Sequence, residues 1–192
     1  MKRERMSRAP HLAPRAIWGI ALFIVTVLLA PPAAQAANAA PLGLEIGVAT
    51  LAQVKSKLGG TTTLAEMGTN KFTDGVMLGG DGQGLDIDGL HKITLIFDNK
   101  EVLQGVVMTL DKDFRPTFEK LRKKYTVVSK QIPFVGDSRA RFSQGASFVV
   151  LDAPHLSFEM KLSYISSGLD QAFKTRSAAE DTRHERQQAD KL

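Results

Sequence analysis

The stretch from Leu156 to Ile165, LSFEMKLSYI, decides the fold class because apolar and polar residues alternate along its whole length. Successive side chains of a β-strand point to opposite faces, so the pattern predicts a strand with one buried face and one solvent-exposed face. The expected buried residues are Leu156, Phe158, Met160, Leu162 and Tyr164. The expected solvent-exposed residues are Ser157, Glu159, Lys161 and Ser163. Such two-faced strands are typical of antiparallel sheets.

A second alternating segment predicts a hairpin earlier in the chain. Ile93, Leu95 and Phe97 alternate with their neighbours, and the turn-forming sequence at 98–101 separates them from a return strand at 102–110. Further strands are predicted at 61–67, 85–87, 126–132, 139–143 and 147–151.

Each group of strands follows a predicted helix. Thr50 is placed to cap a helix whose buried face is Leu51, Val54 and Leu58. Asp113 is placed to cap a second helix, and the expected buried face is Phe114, Phe118, Leu121 and Tyr125. The sequence therefore predicts an α+β protein of two similar helix-plus-antiparallel-strand units, forming a sheet with the helices packed on one face.

The N-terminal region has the organisation of a secretory signal peptide. Five basic residues precede an uncharged apolar run at 16–30, and the small-residue triplet Ala34-Gln35-Ala36 follows. Cleavage is predicted between Ala36 and Ala37, which places the mature chain in the periplasm or outside the cell. The alternative is a retained membrane anchor, although 15 apolar residues are short for a bilayer that needs about 20. The predicted domains are then 1–36 (signal peptide), 37–110 (first unit), 111–173 (second unit) and 174–192 (polar tail, a frayed helix or disordered).

Composition excludes several function classes. The chain has 192 residues and a net charge of +5, but the predicted signal peptide holds five basic residues and one acidic residue, so the mature chain carries only +1. That charge is too small for the basic footprint of a nucleic-acid-binding protein. The chain has no cysteine, which excludes disulfides, thiolate catalysis and a lipid-modified N-terminal cysteine.

Two short motifs resemble the SmpA/OmlA (BamE-like) family of envelope proteins. They are the helix opening Thr50, Val54, Leu58 and Gly59, preceded by Gly47, and the strand pair Ile93–Asp98 with Val102-Leu103. Two such units in tandem also resemble the architecture of β-lactamase-inhibitor protein. The resemblance implies a periplasmic binding or assembly module without a catalytic site. It departs from the family in one residue of extra spacing between Gly47 and Thr50, and in the missing lipid-bearing cysteine.

The histidines are the catalytic candidates, because a nucleophile–base pair needs one beside a serine and an acid. His155, Ser157 and Glu159 would share one face of the predicted strand, but any solvent-facing strand gives the same alternation. His91 is expected at a surface or strand edge, and His184 in the charged tail. The sequence predicts no enzyme and no cofactor.

The glycine-rich stretch 79–89 holds three potential calcium ligands, Asp81, Asp86 and Asp88. Carboxylate oxygens suit calcium, but the spacing fits neither an EF-hand nor a glycine-rich repeat site. A glycine-rich connecting loop explains the composition equally well, so no metal site is predicted, and a calcium loop stays as the alternative.

Two further segments are candidate contact surfaces. The basic residues Lys120, Arg122, Lys123 and Lys124, with Lys130, offer a contact for a membrane surface or an acidic partner, or form a solvated helix face. The turn Pro133–Asp137 places Phe134 before Arg139 and Arg141, as a binding anchor or a satellite core residue.

Taken together, the sequence predicts a non-enzymatic exported module that holds another envelope protein. The alternative is a periplasmic protein that binds a small ligand or calcium around residues 79–89 or His155.

Overall fold

The computed structural model describes residues 36–189, so the predicted signal peptide lies almost entirely outside the described residues. The helices are α1 (Leu51–Leu58), α2 (Phe114–Arg122) and α3 (Ser167–Ala189). The strands are β1 (Leu64–Thr69), β2 (Asp74–Asp81), β3 (Leu90–Asp98), β4 (Leu103–Asp111), β5 (Thr126–Gln131), β6 (Ser138–Gln144), β7 (Ser147–Ala153) and β8 (Glu159–Ser166). Within the described part of the chain, no helix is long and apolar enough to span a membrane.

All eight strands form one antiparallel sheet in the order β1-β2-β3-β4-β8-β7-β6-β5. The prediction of two helix-plus-strand units is therefore wrong. Strands predominate over helices, and β4 pairs directly with β8 from Gly105↔Ile165 to Asp111↔Glu159, which joins the two predicted halves into a single sheet. A helix followed by four strands does occur twice along the chain. This order does not determine which strands pair with each other.

One face of the sheet, the core face, packs against α1 and α2. Thr50 caps α1 as predicted: its hydroxyl accepts a hydrogen bond from the Gln53 N–H, and the Gln53 side chain accepts one from the Thr50 N–H. The α2 face Phe114, Phe118 and Leu121 is buried, and so is Tyr125 just after the helix, all as predicted. Buried residues from the two helices and from the core-face strands form one continuous core, so the described residues 36–189 belong to one compact unit.

Helix α3 lies on the opposite face of the sheet, which we call the outer face. The prediction that the helices pack on one face is therefore wrong for α3. Leu169 of α3 sits over Gly105 of β4, where a Cβ atom would come within 3.1 Å of the Leu169 side chain. Glycine thus provides the space in which α3 approaches the sheet. Residues 174–189 of the predicted tail continue this helix and are mostly exposed.

The connections at the two ends of the sheet differ in length. One end, the loop end, carries the connections 82–89, 112–113, 132–137 and 154–158. The other end carries tighter turns at 70–73, 99–102 and 145–146, and it is where α3 begins. The first described residues reach this second end, because the Asn38 side chain accepts a 2.6 Å hydrogen bond from the Ala146 N–H.

Candidate functional site: an apolar loop pair and a groove under α3

Two neighbouring loops at the loop end expose large apolar side chains to water. The β5–β6 loop (132–137) carries Phe134, which is fully exposed, and Val135, which is 66% exposed. The β7–β8 loop (154–158) carries Leu156 and Phe158, each 93% exposed. Ser138, which follows the first loop, pairs with Ala153, which precedes the second, so the two loops lie side by side. We call these two segments the apolar loop pair.

Hydrogen bonds to backbone atoms hold the apolar loop pair in place. The Asp137 carboxylate of one loop accepts a 2.7 Å hydrogen bond from the His155 N–H of the other. The Lys112 ammonium, just after β4, donates to the Pro154 and His155 carbonyl oxygens at 2.6 and 3.0 Å. The apolar side chains are therefore presented on loops that are fixed to each other and to the sheet.

The exposure of Leu156 and Phe158 corrects the sequence prediction for this strand. β8 begins at Glu159, three residues later than predicted, and only Met160, Leu162 and Tyr164 of the expected buried set are buried. Alternation continues in phase through the preceding loop, so the pattern alone could not locate the start of the strand. Pro154 was the available signal that the chain leaves the sheet there. The exposure of Phe134 also excludes its interpretation as a satellite core residue.

A groove lies between α3 and the outer face of the sheet. Its volume is about 580 Å³, and its apolar lining is Phe72, Ile96, Val107, Val150, Ile165, Leu169 and Phe173. One row of residues, read from the strand registers, crosses its floor: Val107, Ser163, Val150, Arg141 and Ser129. Phe72 in the β1–β2 turn packs on Phe173 with ring centroids 5.3 Å apart, which closes one end. We call this cavity the α3 groove.

Ion pairs connect α3 to the sheet at the edge of the α3 groove. The Asp170 carboxylate lies 2.9 Å from the Arg141 guanidinium and 2.8 Å from the Lys174 ammonium. Burial alone would raise the pKa of Asp170, but hydrogen bonds from Lys174 and Arg141, with their charges, outweigh it and lower that pKa. The Arg141 guanidinium also lies over the Phe148 ring, 3.9 Å from its centroid. No sequence pattern marks Asp170, because Arg141 is distant in the chain and Lys174 is on the same helix.

The three residues considered for catalysis do not lie together on a strand face. His155 and Ser157 lie in the β7–β8 loop, and only Glu159 belongs to β8. The Ser157 hydroxyl accepts a 3.0 Å hydrogen bond from the Glu159 N–H, which is a turn interaction. Among the described residues, no hydrogen bond joins the His155 ring to either neighbour.

His91 forms an ion pair at the loop end that the sequence did not reveal. Its Nε2 atom lies 2.8 Å from Asp111 Oδ1, across the β3–β4 hairpin. The hydrogen bond that the His91 ring donates to Asp111 raises the pKa of His91; desolvation opposes this, and the negative charges of Asp111, Glu159 and Asp81 add to it. His184 lies on α3, exposed as predicted, with Nε2 3.2 Å from the Gln188 amide nitrogen.

The three carboxylates considered for calcium are all exposed and are not gathered into a site. Asp81 ends β2, and its carboxylate accepts a 2.8 Å hydrogen bond from the Gln83 N–H. Asp86 and Asp88 follow in the β2–β3 connection. Among residues 36–189, no three histidine or acidic side chains are close enough to hold a metal ion.

The basic stretch Lys120, Arg122, Lys123 and Lys124 is exposed at the C-terminal end of α2. Cations at this end of a helix are favoured by the helix dipole. Arg122 pairs with Glu119 one turn earlier, and the Lys124 ammonium lies 5.3 Å from the centre of the Tyr125 ring. These contacts give the stretch a local structural role, and its contact with a membrane surface stays a prediction.

Comparison of the chain with family models, with curated proteins and with solved structures found no match. The resemblance to the SmpA/OmlA family therefore stays a prediction that rests on the two quoted motifs.

Proposed function

We propose that this chain is an exported, non-enzymatic binding module that holds a protein of the cell envelope through its apolar loop pair. The observation that carries the proposal is the near-complete exposure of Phe134, Leu156 and Phe158 on two loops fixed to each other. Large apolar side chains presented together are typical of interaction sites, and aromatic anchors contribute most of the energy at many protein interfaces.

Preorganisation of the loops supports the same function. Binding costs less when the contact residues are already held in place, and Lys112 and Asp137 hold these loops through the backbone around His155. The predicted signal peptide supports export. The absence of a gathered nucleophile–base pair or metal site among the described residues leaves the loops as the better-supported surface.

The test is affinity capture of residues 37–192 from periplasmic and membrane extracts, followed by reconstitution with the purified captured protein. We compare the wild-type chain with the double variant Phe134→Ser/Phe158→Ser. The matched control is Val127→Ser/Val128→Ser, which changes two exposed apolar residues on edge strand β5, away from the loop tips. The proposal requires a direct complex that the loop variant loses and the control keeps.

Calcium and a chelator are added in parallel captures. A complex that forms equally in both conditions supports the protein-binding module. Loss of the complex with chelator, or a calcium-dependent rise in melting temperature, would favour the calcium alternative around Asp81, Asp86 and Asp88. A complex that the loop variant keeps would contradict the proposed surface.

A further inference from the structure

The α3 groove is long and crosses the strands of the sheet. Its lining extends from Ile96 on β3 to Ser129 on β5, and five strand spacings separate these two strands. With strands about 4.8 Å apart, this corresponds to a length of roughly 24 Å. A volume of about 580 Å³ is within the range of small-molecule sites. The shape therefore suits an elongated ligand.

One wall of the α3 groove and the part of its floor around Val107, Val150 and Ile165 are apolar. Val107, Val150 and Ile165 lie half-buried on the floor, while Leu169 and Phe173 of α3 form the wall. The central strands have their backbone groups paired with each other, so the floor offers a ligand no backbone hydrogen bonds, and its polar side chains are Ser163, Arg141 and Ser129. An extended peptide would leave its own backbone groups unpaired there, whereas a hydrocarbon chain has none to pair.

Charge in the α3 groove is predominantly positive. Arg139, Arg141 and Lys174 line it together with a single carboxylate, Asp170. Asp152, which is outside the lining, pairs with Arg139 at 2.6 Å. Asp170 is shared by Arg141 and Lys174, so these two cations have one carboxylate between them. An anionic group at this position would complete the local charge balance.

We propose that the α3 groove binds an amphiphile with one apolar chain and an anionic head group. The chain lies along Val107, Val150 and Ile165, against Leu169 and Phe173, and the head group contacts Arg141 and Lys174. This site goes beyond the proposed function, because neither loop of the apolar loop pair lines the groove. A ligand here bridges α3 and the sheet, and therefore stabilises the docked position of α3.

The proposal is tested by isothermal titration calorimetry on residues 37–192, which contain every core residue of the described part of the chain. The probe is dodecanoate, below its micelle concentration. Dodecyl maltoside and dodecyltrimethylammonium carry the same chain with a neutral and a cationic head group. We expect saturable binding of dodecanoate at one site, with the neutral and cationic amphiphiles weaker by at least about tenfold.

Two groove variants and two controls assign the binding to the α3 groove. Val150→Asp places a carboxylate on the apolar floor and is expected to weaken dodecanoate by more than about tenfold. Lys174→Gln, at an exposed side chain, is expected to reduce the preference for the anionic head group while binding of the neutral amphiphile stays constant. Val128→Asp on the β5 edge and Phe134→Ser in the loop pair are expected to bind as the wild type does. Melting temperatures verify that each variant is folded. If Val150→Asp does not fold, the test of the α3 groove depends on Lys174→Gln.

The proposal is overturned if no amphiphile binds, or if the three head groups bind with equal affinity. It is equally overturned if dodecanoate binding survives both groove variants, or if Phe134→Ser removes it, since the site would then lie elsewhere. Selection of extended peptides that compete with dodecanoate and bind more tightly would replace the amphiphile with a peptide ligand.

Discussion

The Asp170 carboxylate of α3 and the Arg141 guanidinium of β6 form a 2.9 Å ion pair in which both side chains are largely buried, 10% and 22% exposed respectively. This pair and Leu169 over Gly105 attach α3 to the outer face of the sheet, and Phe173 packs on Phe72 of the β1–β2 turn. The rest of α3 is mostly exposed and has little apolar surface with which to hold itself in place. The position of α3, and with it the α3 groove, therefore depends on a small number of contacts in its first two turns.

We expect Asp170→Asn to release α3 from the sheet. The substitution leaves Arg141 without its anion, at a cost of about 1.5–3 kcal/mol in the free energy of α3 docking. Limited proteolysis should cut within 174–189 faster in the variant, while near-ultraviolet signals from the core stay unchanged. The control is Glu180→Gln on the same helix, which removes only an exposed ion pair with Lys71 of the β1–β2 turn. Equal proteolysis of Asp170→Asn and wild type would contradict this role.

The same contact should depend on pH. Because the folded-state pKa of Asp170 is lowered, its stabilising effect is complete above the unfolded pKa of about 4 and is lost as pH falls below it. Proteolysis of α3 by an acid-active protease should accelerate below pH 4 in the wild-type chain. Asp170→Asn should show a smaller change over the same range, and an equal acceleration in both would assign the effect to other carboxylates.

Part of this architecture could be predicted from the sequence, for identifiable reasons. The buried faces of α2 and β3 follow from regular apolar spacing, and the structure confirms them. In α1 it confirms Val54 and Leu58, whereas Leu51 is only partly buried. Strand β2 was missed because Gly75, Gly79 and Gly80 give it low strand propensity. The predicted buried residues Leu156 and Phe158 became the exposed tips of a loop, since period-two alternation does not mark where a strand begins.

The candidate sites divide in the same way. Phe134 could be predicted as a candidate because an aromatic residue within a turn is unusual, and because this signal lies within a few consecutive residues. The α3 groove could not, because it forms when a helix with no clear apolar face lies across strands that are adjacent only in the folded sheet. Its lining residues, from Phe72 to Lys174, are separated by up to about a hundred positions and share no pattern in the sequence.

The pKa of His91 should be measurably raised. Asp111 accepts its hydrogen bond and favours the charged ring, so its nuclear magnetic resonance titration midpoint is expected above the ordinary value of about 6.5. The ion pair stabilises the β3–β4 hairpin below pH 6.5, and that stabilisation is lost as pH rises through the folded-state pKa. Asp111→Asn should return the midpoint toward the ordinary value. An unchanged midpoint in that variant would show that Asp111 is not the cause.

Substitutions in the core should lower the free energy of unfolding far more than substitutions in the apolar loop pair. Phe142 of β6 is completely buried, with its ring 5.5 Å from that of Phe118 on α2, so Phe142→Ala is expected to lower the free energy of unfolding by about 3–5 kcal/mol. Phe134→Ala removes the same aromatic ring from a fully exposed position and should change the free energy of unfolding by less than about 0.5 kcal/mol. Urea denaturation of residues 37–192 measures both. A large loss of stability in Phe134→Ala would mean that this side chain supports the fold rather than a partner.

Asn38 is expected to fix the first described residues of the chain to the sheet. Its amide nitrogen donates to the Ile46 carbonyl at 2.9 Å, and its carbonyl oxygen accepts from the Ala146 N–H at 2.6 Å. Gly145 permits this approach, because a Cβ atom there would lie 2.5 Å from the Asn38 side-chain oxygen. Asn38→Ala leaves the Ala146 N–H and the Ile46 carbonyl unpaired, and should lower the free energy of unfolding by about 1–3 kcal/mol. Asn99→Ala, in the exposed β3–β4 turn, is the control, and equal urea midpoints for the two variants would show that the Asn38 contacts contribute no net stability.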